Sequence, residues 1–133
     1  MTGANHGPRS GPDPRNEHAV RLFRTATLIC AVAVAWLAFR PAVEVEAGLP
    51  WDKANHAIAF AVLTFLAGRG WPRLSPTVLV LIMLAAGIGV ELVQGLPQVG
   101  RDADAWDVVA DAVGIALGWA VLRAGRRRSG LRE

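Results

Sequence analysis

Apolar residues along this chain fall into four blocks separated by short polar, glycine- and proline-bearing stretches. Apolar stretches of this length in so short a chain mark membrane spans rather than a water-soluble core. The first block runs from Leu22 to Phe39, with Arg21 and Arg24 at its start and Arg40 at its end. Its uninterrupted part, Thr25 to Phe39, rises about 22 Å as a helix, and the flanking arginines extend that reach by snorkelling. The block also resembles the apolar region of a signal peptide behind a basic segment. No small-x-small cleavage site follows before Glu44, and three more blocks come after it, so an uncleaved signal anchor is expected.

The second block, Trp51 to Gly68, follows Pro50 and opens with Asp52, Lys53, Asn55 and His56 before turning fully apolar from Ala57. A proline before the block and an acid near its first turn suit a helix start. The third block begins at Ser75-Pro76, an N-cap and first-turn pair. It passes through Glu91-Leu92-Val93-Gln94 and is stopped by Gly95 and Pro97. The fourth begins near Asp104, stays polar for two turns, runs to about Ala124 and exits into Arg126-Arg127-Arg128.

This pattern predicts an all-α polytopic membrane protein, a bundle of four transmembrane helices over about 20–40, 52–69, 76–95 and 104–124. With 133 residues there is room for one domain, expected over 19–125. Residues 1–18, rich in glycine, proline and charge, are expected to form a disordered cytoplasmic tail, and 126–133 a basic cytoplasmic tail. Cytoplasmic segments carry the excess of Lys and Arg. Placing both termini and the second-to-third loop inside assigns eleven of the 14 basic residues to that side and leaves only Arg40, Lys53 and Arg101 outside. Both termini are therefore expected to be cytoplasmic, N-in and C-in.

Composition narrows the function classes. The chain is 53% hydrophobic with a mean hydropathy of +0.34, which excludes most soluble enzymes. A pI near 10.4 would suit a nucleic-acid binder, but the basic residues form short clusters beside apolar blocks rather than one stripe. Membrane lipids, not nucleic acid, are the expected partners. Cys30 stands alone, so neither an intramolecular disulfide nor a cysteine metal cluster can form.

The polar residues inside the blocks carry the candidate chemistry. Charged groups in an apolar span cost about 2.5–3.5 kcal/mol each on insertion scales, so they must face one another or a water-filled cavity. Asp52, Lys53 and His56 adjoin on one helix face. Gly87, Glu91 and Gln94 form one stripe of the next helix, and Asp104, Asp107, Asp111, Gly114 and Gly118 one stripe of the last. Gly114 and Gly118, with Gly87, are read as helix-packing positions. Lys53 and Arg101 are fixed cations that could pair with Glu91, Asp107 and Asp111 across helices, making the cluster a salt-bridge lock. The same set offers His56, Glu91 and Asp111 as candidate catalytic groups, and His56, Glu91, Asp107 and Asp111 as candidate ligands of a divalent metal. No HExxH, CxxC, Gly-x-Ser-x-Gly or phosphate-loop motif is present, so whether the chain is an enzyme stays open.

The arrangement resembles the VanZ-like membrane protein family. The matching pieces are Asp52-Lys53 followed by His56 and Phe60, then Glu91-Leu92-Val93-Gln94, then Gly100-Arg101 leading through Asp107 to Ala110-Asp111 and Gly114. They extend from about Trp51 to Gly118. Asp111 stands where family members often carry Asn, and Asp102-Ala103-Asp104 where they often carry Ser, so this site is the more acidic. The resemblance implies a small multi-pass protein of the bacterial inner membrane, whose founding relative is associated with teicoplanin resistance. On that basis Asp52, Lys53, His56, Glu91, Gln94, Arg101, Asp107 and Asp111 are expected to line an outward-facing pocket. The ligand would be a lipid-linked envelope precursor or a glycopeptide, and the expected phenotype altered glycopeptide sensitivity. A metal-dependent enzyme on such a precursor and a structural helper subunit are the alternatives.

Overall fold

The computed structural model describes residues 14–39, 50–99 and 104–130, with the backbone alone for 50–52 and 128–130. They form four helices: α1 (Pro14–Phe39), α2 (Pro50–Gly70), α3 (Pro76–Gln94) and α4 (Ala105–Gly130). Three begin on proline, whose fixed φ and missing N–H suit a first turn. At the start of α3 the Val78 N–H donates to Ser75 Oγ at 3.2 Å, and at its end the Gly95 N–H donates to the Glu91 carbonyl oxygen. Asp104 caps α4, its Oδ1 accepting the Trp106 N–H at 2.9 Å.

Two boundaries differ from the sequence expectation. Helix α1 starts at Pro14, so Asn16, Glu17 and His18 are helical rather than part of a disordered tail. Pro14 opens the first turn, while Glu17 lies near the positive end of the helix and 3.9 Å from Arg21 one turn on. Helix α4 continues through Arg126–Arg128 to Gly130, where a separate basic tail was expected. Arginine is a good helix former, and cations are favoured at a helix C-terminus. Residues 1–13 and 131–133 lie outside the described residues.

Successive helices run in opposite directions. At one end Arg24 of α1 donates to the Gly70 carbonyl at 2.8 Å, and Phe23 meets Phe65 edge-on at 6.3 Å. At the other end Gln94 donates to the Ala38 carbonyl at 3.3 Å. The C-termini of α1 and α3 and the N-termini of α2 and α4 therefore gather together. Helix α2 touches the other three, most extensively α4, whereas α1 and α4 do not meet among the described residues. The α2–α4 contact is backbone against backbone. A Cβ at Gly114 would overlap the Ala57 carbonyl, and one at Gly118 the Ala61 carbonyl. Both glycines act as expected, as small positions for close helix approach. Phe60, Leu63, Ala67, Leu79, Met83, Ile115 and Leu122 fill the core.

Helices α1, α3 and α4 are long and apolar enough to cross a membrane. Only 11% of the apolar window of α1 is buried, and Ile29, Val32, Trp36, Ile82, Leu117 and Val121 face outward. So much exposed apolar surface suits a lipid surround. Helix α2, expected as a fourth span, falls short of that standard because Lys53, Asn55, His56 and Arg69 interrupt its two ends. Its place among three neighbours reduces the lipid contact it must make.

Candidate functional site

The gathered helix ends hold Glu91, Asp104, Asp107 and Asp111, while the opposite end carries Arg24, Arg69, Arg123 and Arg126, two of which bond the carbonyls that close α2. Arg24 reaches Gly70 and Arg126 reaches Gly68, at 2.8 and 3.3 Å. Arg24 also lies over Trp71, and Arg69 over Phe23. The molecule thus has a basic pole and a carboxylate pole.

At the carboxylate pole the predicted stripes converge. Asp111 is 0% exposed, Asp107 5% and Glu91 6%. His56 of α2 sits with Nδ1 2.9 Å from Asp111 Oδ1. A carboxylate only accepts, so with Asp111 in that form Nδ1 donates, and Nε2 is the ring nitrogen outside that bond. Asp111 is wedged behind the imidazole, because a Cβ at Gly87 would stand 2.6 Å from its Oδ2. Gly87 is therefore the gap into which the acid fits, a sharper role than general helix packing.

Lys53, one turn before His56, donates to Asp107 Oδ1 at 3.0 Å and to Asp104 Oδ2. The sequence expectation allowed Lys53 to pair with Glu91, Asp107 or Asp111; of these it takes Asp107, and α4 adds Asp104 where Glu91 and Asp111 were the other candidates. Asp104 precedes α4, and its bond from Lys53, followed by that from the Trp106 N–H, holds its carboxyl below the usual aspartate range. Glu91 of α3 accepts the Asp104 N–H on Oε2 at 3.1 Å, so it ties α3 to the start of α4. Its Oε1 is buried with no hydrogen-bond partner, as is Asp111 Oδ2.

His56, Glu91 and Asp107 each offer one ligand atom within 4.8 Å of the other two. Asp111, expected as a fourth ligand, supports His56 from behind and is not one of the three. Gln94 is buried and bonds α1, so it anchors a helix as well as facing the site. Arg101 lies outside the described residues, as does the side chain of Asp52. Asp104 joins the site although only its place on the α4 stripe hinted at it; an aspartate one residue ahead of a helix is ordinarily accounted for as a cap.

Beside the cluster a cleft of about 360 Å³ opens between α1, α2 and α3. Val34, Leu37, Ile58, Ala59, Phe60 and Val90 give it apolar walls, and Asn55, His56 and Gln94 are its polar lining. His56 thus borders both the cleft and the carboxylates. Asn55 lies off the face that carries Asp52, Lys53 and His56, so spacing along the chain gives no signal for its place in the lining. No protein-family profile, curated protein or solved structure matches this chain.

Proposed function

We propose that this chain is a four-span protein of the bacterial inner membrane, N-in and C-in, that binds a lipid-linked anionic ligand of the cell envelope at its outward carboxylate pole. The observation that carries this reading is the cleft: apolar walls with a few convergent polar groups, in the size range of small-molecule sites. A hydrocarbon tail would lie along Val34, Ile58 and Phe60, and its polar end would meet His56 and Gln94, with Lys53 as the neighbouring cation for an anionic group. The separation of basic and carboxylate poles supports the orientation. Helix α2 spans with its neighbours covering its polar turns. The resemblance to VanZ-like proteins agrees with an envelope role and with altered teicoplanin sensitivity as the phenotype.

The test is retention of a polyprenyl phosphate by the detergent-purified protein, read by native mass spectrometry. Wild type is expected to keep the lipid, Ala59→Phe to exclude it by filling the cleft, and His56→Ala to weaken it at least tenfold. Equal retention by all three proteins overturns the reading. A second reading, a membrane-embedded enzyme on such a precursor, is favoured by the Asp111–His56 bond, which presents His56 Nε2 as a general base. Release of phosphate from a polyprenyl pyrophosphate, abolished in His56→Ala, would establish it.

A further inference from the structure

We propose that His56, Glu91 and Asp107 hold a single divalent transition-metal ion of the zinc class, with Asp111 orienting the histidine from behind. This inference rests on the placement of the polar pocket described above and adds the species that occupies it. Three features of the site converge on an ion. The first is geometry. Ligands about 2.1 Å from zinc sit roughly 3.4 Å apart in a tetrahedron, so three ligand atoms within 4.8 Å close on an ion by small side-chain rotations.

The second feature is the orphaned oxygen. Glu91 is 94% buried, its Oε2 is engaged by the Asp104 N–H, and its Oε1 has no partner. A buried carboxylate oxygen left unpaired is costly, and a cation supplies what it lacks. The third is the histidine. Metal-bound histidines almost always donate their other ring N–H to a carboxylate or carbonyl, which fixes the tautomer. Asp111 accepts from His56 Nδ1 at 2.9 Å and leaves Nε2 for the ion.

Charge points the same way. Among the described residues Asp104, Asp107, Asp111 and Glu91 meet at this pole, and Lys53 is the lysine that bonds two of them. A dication offsets most of the remaining negative charge. One histidine and two carboxylates form a mixed nitrogen and oxygen set, which suits zinc or manganese better than a thiol-seeking metal. Three protein ligands leave a coordination position open for an oxygen of an anionic ligand.

The experiment is metal content and affinity of the purified full chain, using zinc alone by calorimetry and cobalt alone by visible absorption. Wild type is expected to bind close to one equivalent and to give the d–d bands of a low-coordinate cobalt site. His56→Ala and Glu91→Gln are expected to lose binding, and Asp111→Asn to weaken it about 10–100-fold as an outer-shell change. Cys30→Ser is expected to bind as wild type, which excludes the thiol as the source. Absence of cobalt bands in wild type, or equal binding by wild type and His56→Ala, overturns the proposal. Because the probe is the metal alone, loss of lipid retention with metal binding intact would count against the ligand reading only. Lipid retention by a protein that binds no metal would count against this inference only.

Discussion

Asp104 shows how one side chain serves several ends. Its Oδ1 caps α4, its Oδ2 accepts from Lys53, and its N–H holds Glu91. A carboxyl held below its usual range contributes stability that is fully present above the unfolded-state value and is lost as pH falls through the depressed folded value. Asp104→Asn keeps the cap, since asparagine caps as well as aspartate, and removes only the charge. The melting temperature of wild type in detergent is therefore expected to exceed that of Asp104→Asn at neutral pH. The gap should close as pH drops below the usual aspartate range. A gap that stays constant down to that acidity would mean that the Lys53 pair adds nothing to stability. Asp111 works differently. Among the described residues its ion-pair partner is His56, and its value lies in fixing that imidazole.

At the scale of elements, the pairing of α2 with α4 sets everything else. Parallel packing through Gly114 and Gly118 against Ala57 and Ala61 fixes the axial offset of the two helices. That offset places Lys53 over Asp104 and Asp107, and His56 over Asp111, one helical turn apart. Gly114→Ala would drive a methyl into the Ala57 carbonyl oxygen, which is backbone and cannot rotate away. Overpacking of this kind costs about 1–3 kcal/mol, so the variant should unfold at lower temperature and bind zinc less tightly. Gly89→Ala is the control. A Cβ there meets nothing within 4 Å, and alanine in a helix interior gains about 0.5–1 kcal/mol over glycine. Thermal unfolding of the two variants side by side would read the contrast, and a Gly114→Ala protein as stable as Gly89→Ala would refute close backbone contact.

The molecule as a whole is a bundle with a basic pole, an apolar waist and a carboxylate pole. The proposed N-in and C-in orientation, drawn from the positive-inside bias, predicts an inactive C-terminal alkaline phosphatase fusion and a bright C-terminal green fluorescent protein fusion. An active phosphatase would turn the site toward the cytoplasm and overturn the proposed envelope ligand. Helix α2 is the element this view explains best. It is too polar at its ends to count as a span by composition, yet it touches every other helix and carries both His56 and Lys53.

Hydropathy, helix periodicity and end signals by themselves determined that the chain is helical and suited to a membrane. They also showed which faces carry the acids and glycines, and where Ser75, Gly95 and Asp104 punctuate it. These are local properties, because 3.6-residue periodicity places a side chain on a face from sequence spacing alone. They reach as far as the stripes Gly87–Glu91–Gln94 and Asp107–Asp111–Gly114. Local spacing carries no information about the rotation and axial shift of one helix against another, which depend on how two complete surfaces fit. Only the tertiary structure therefore decided that Lys53 binds Asp104 and Asp107 rather than Glu91. The same fit put Asp111 behind His56, left Glu91 Oε1 unpaired, and opened a cleft between α1, α2 and α3.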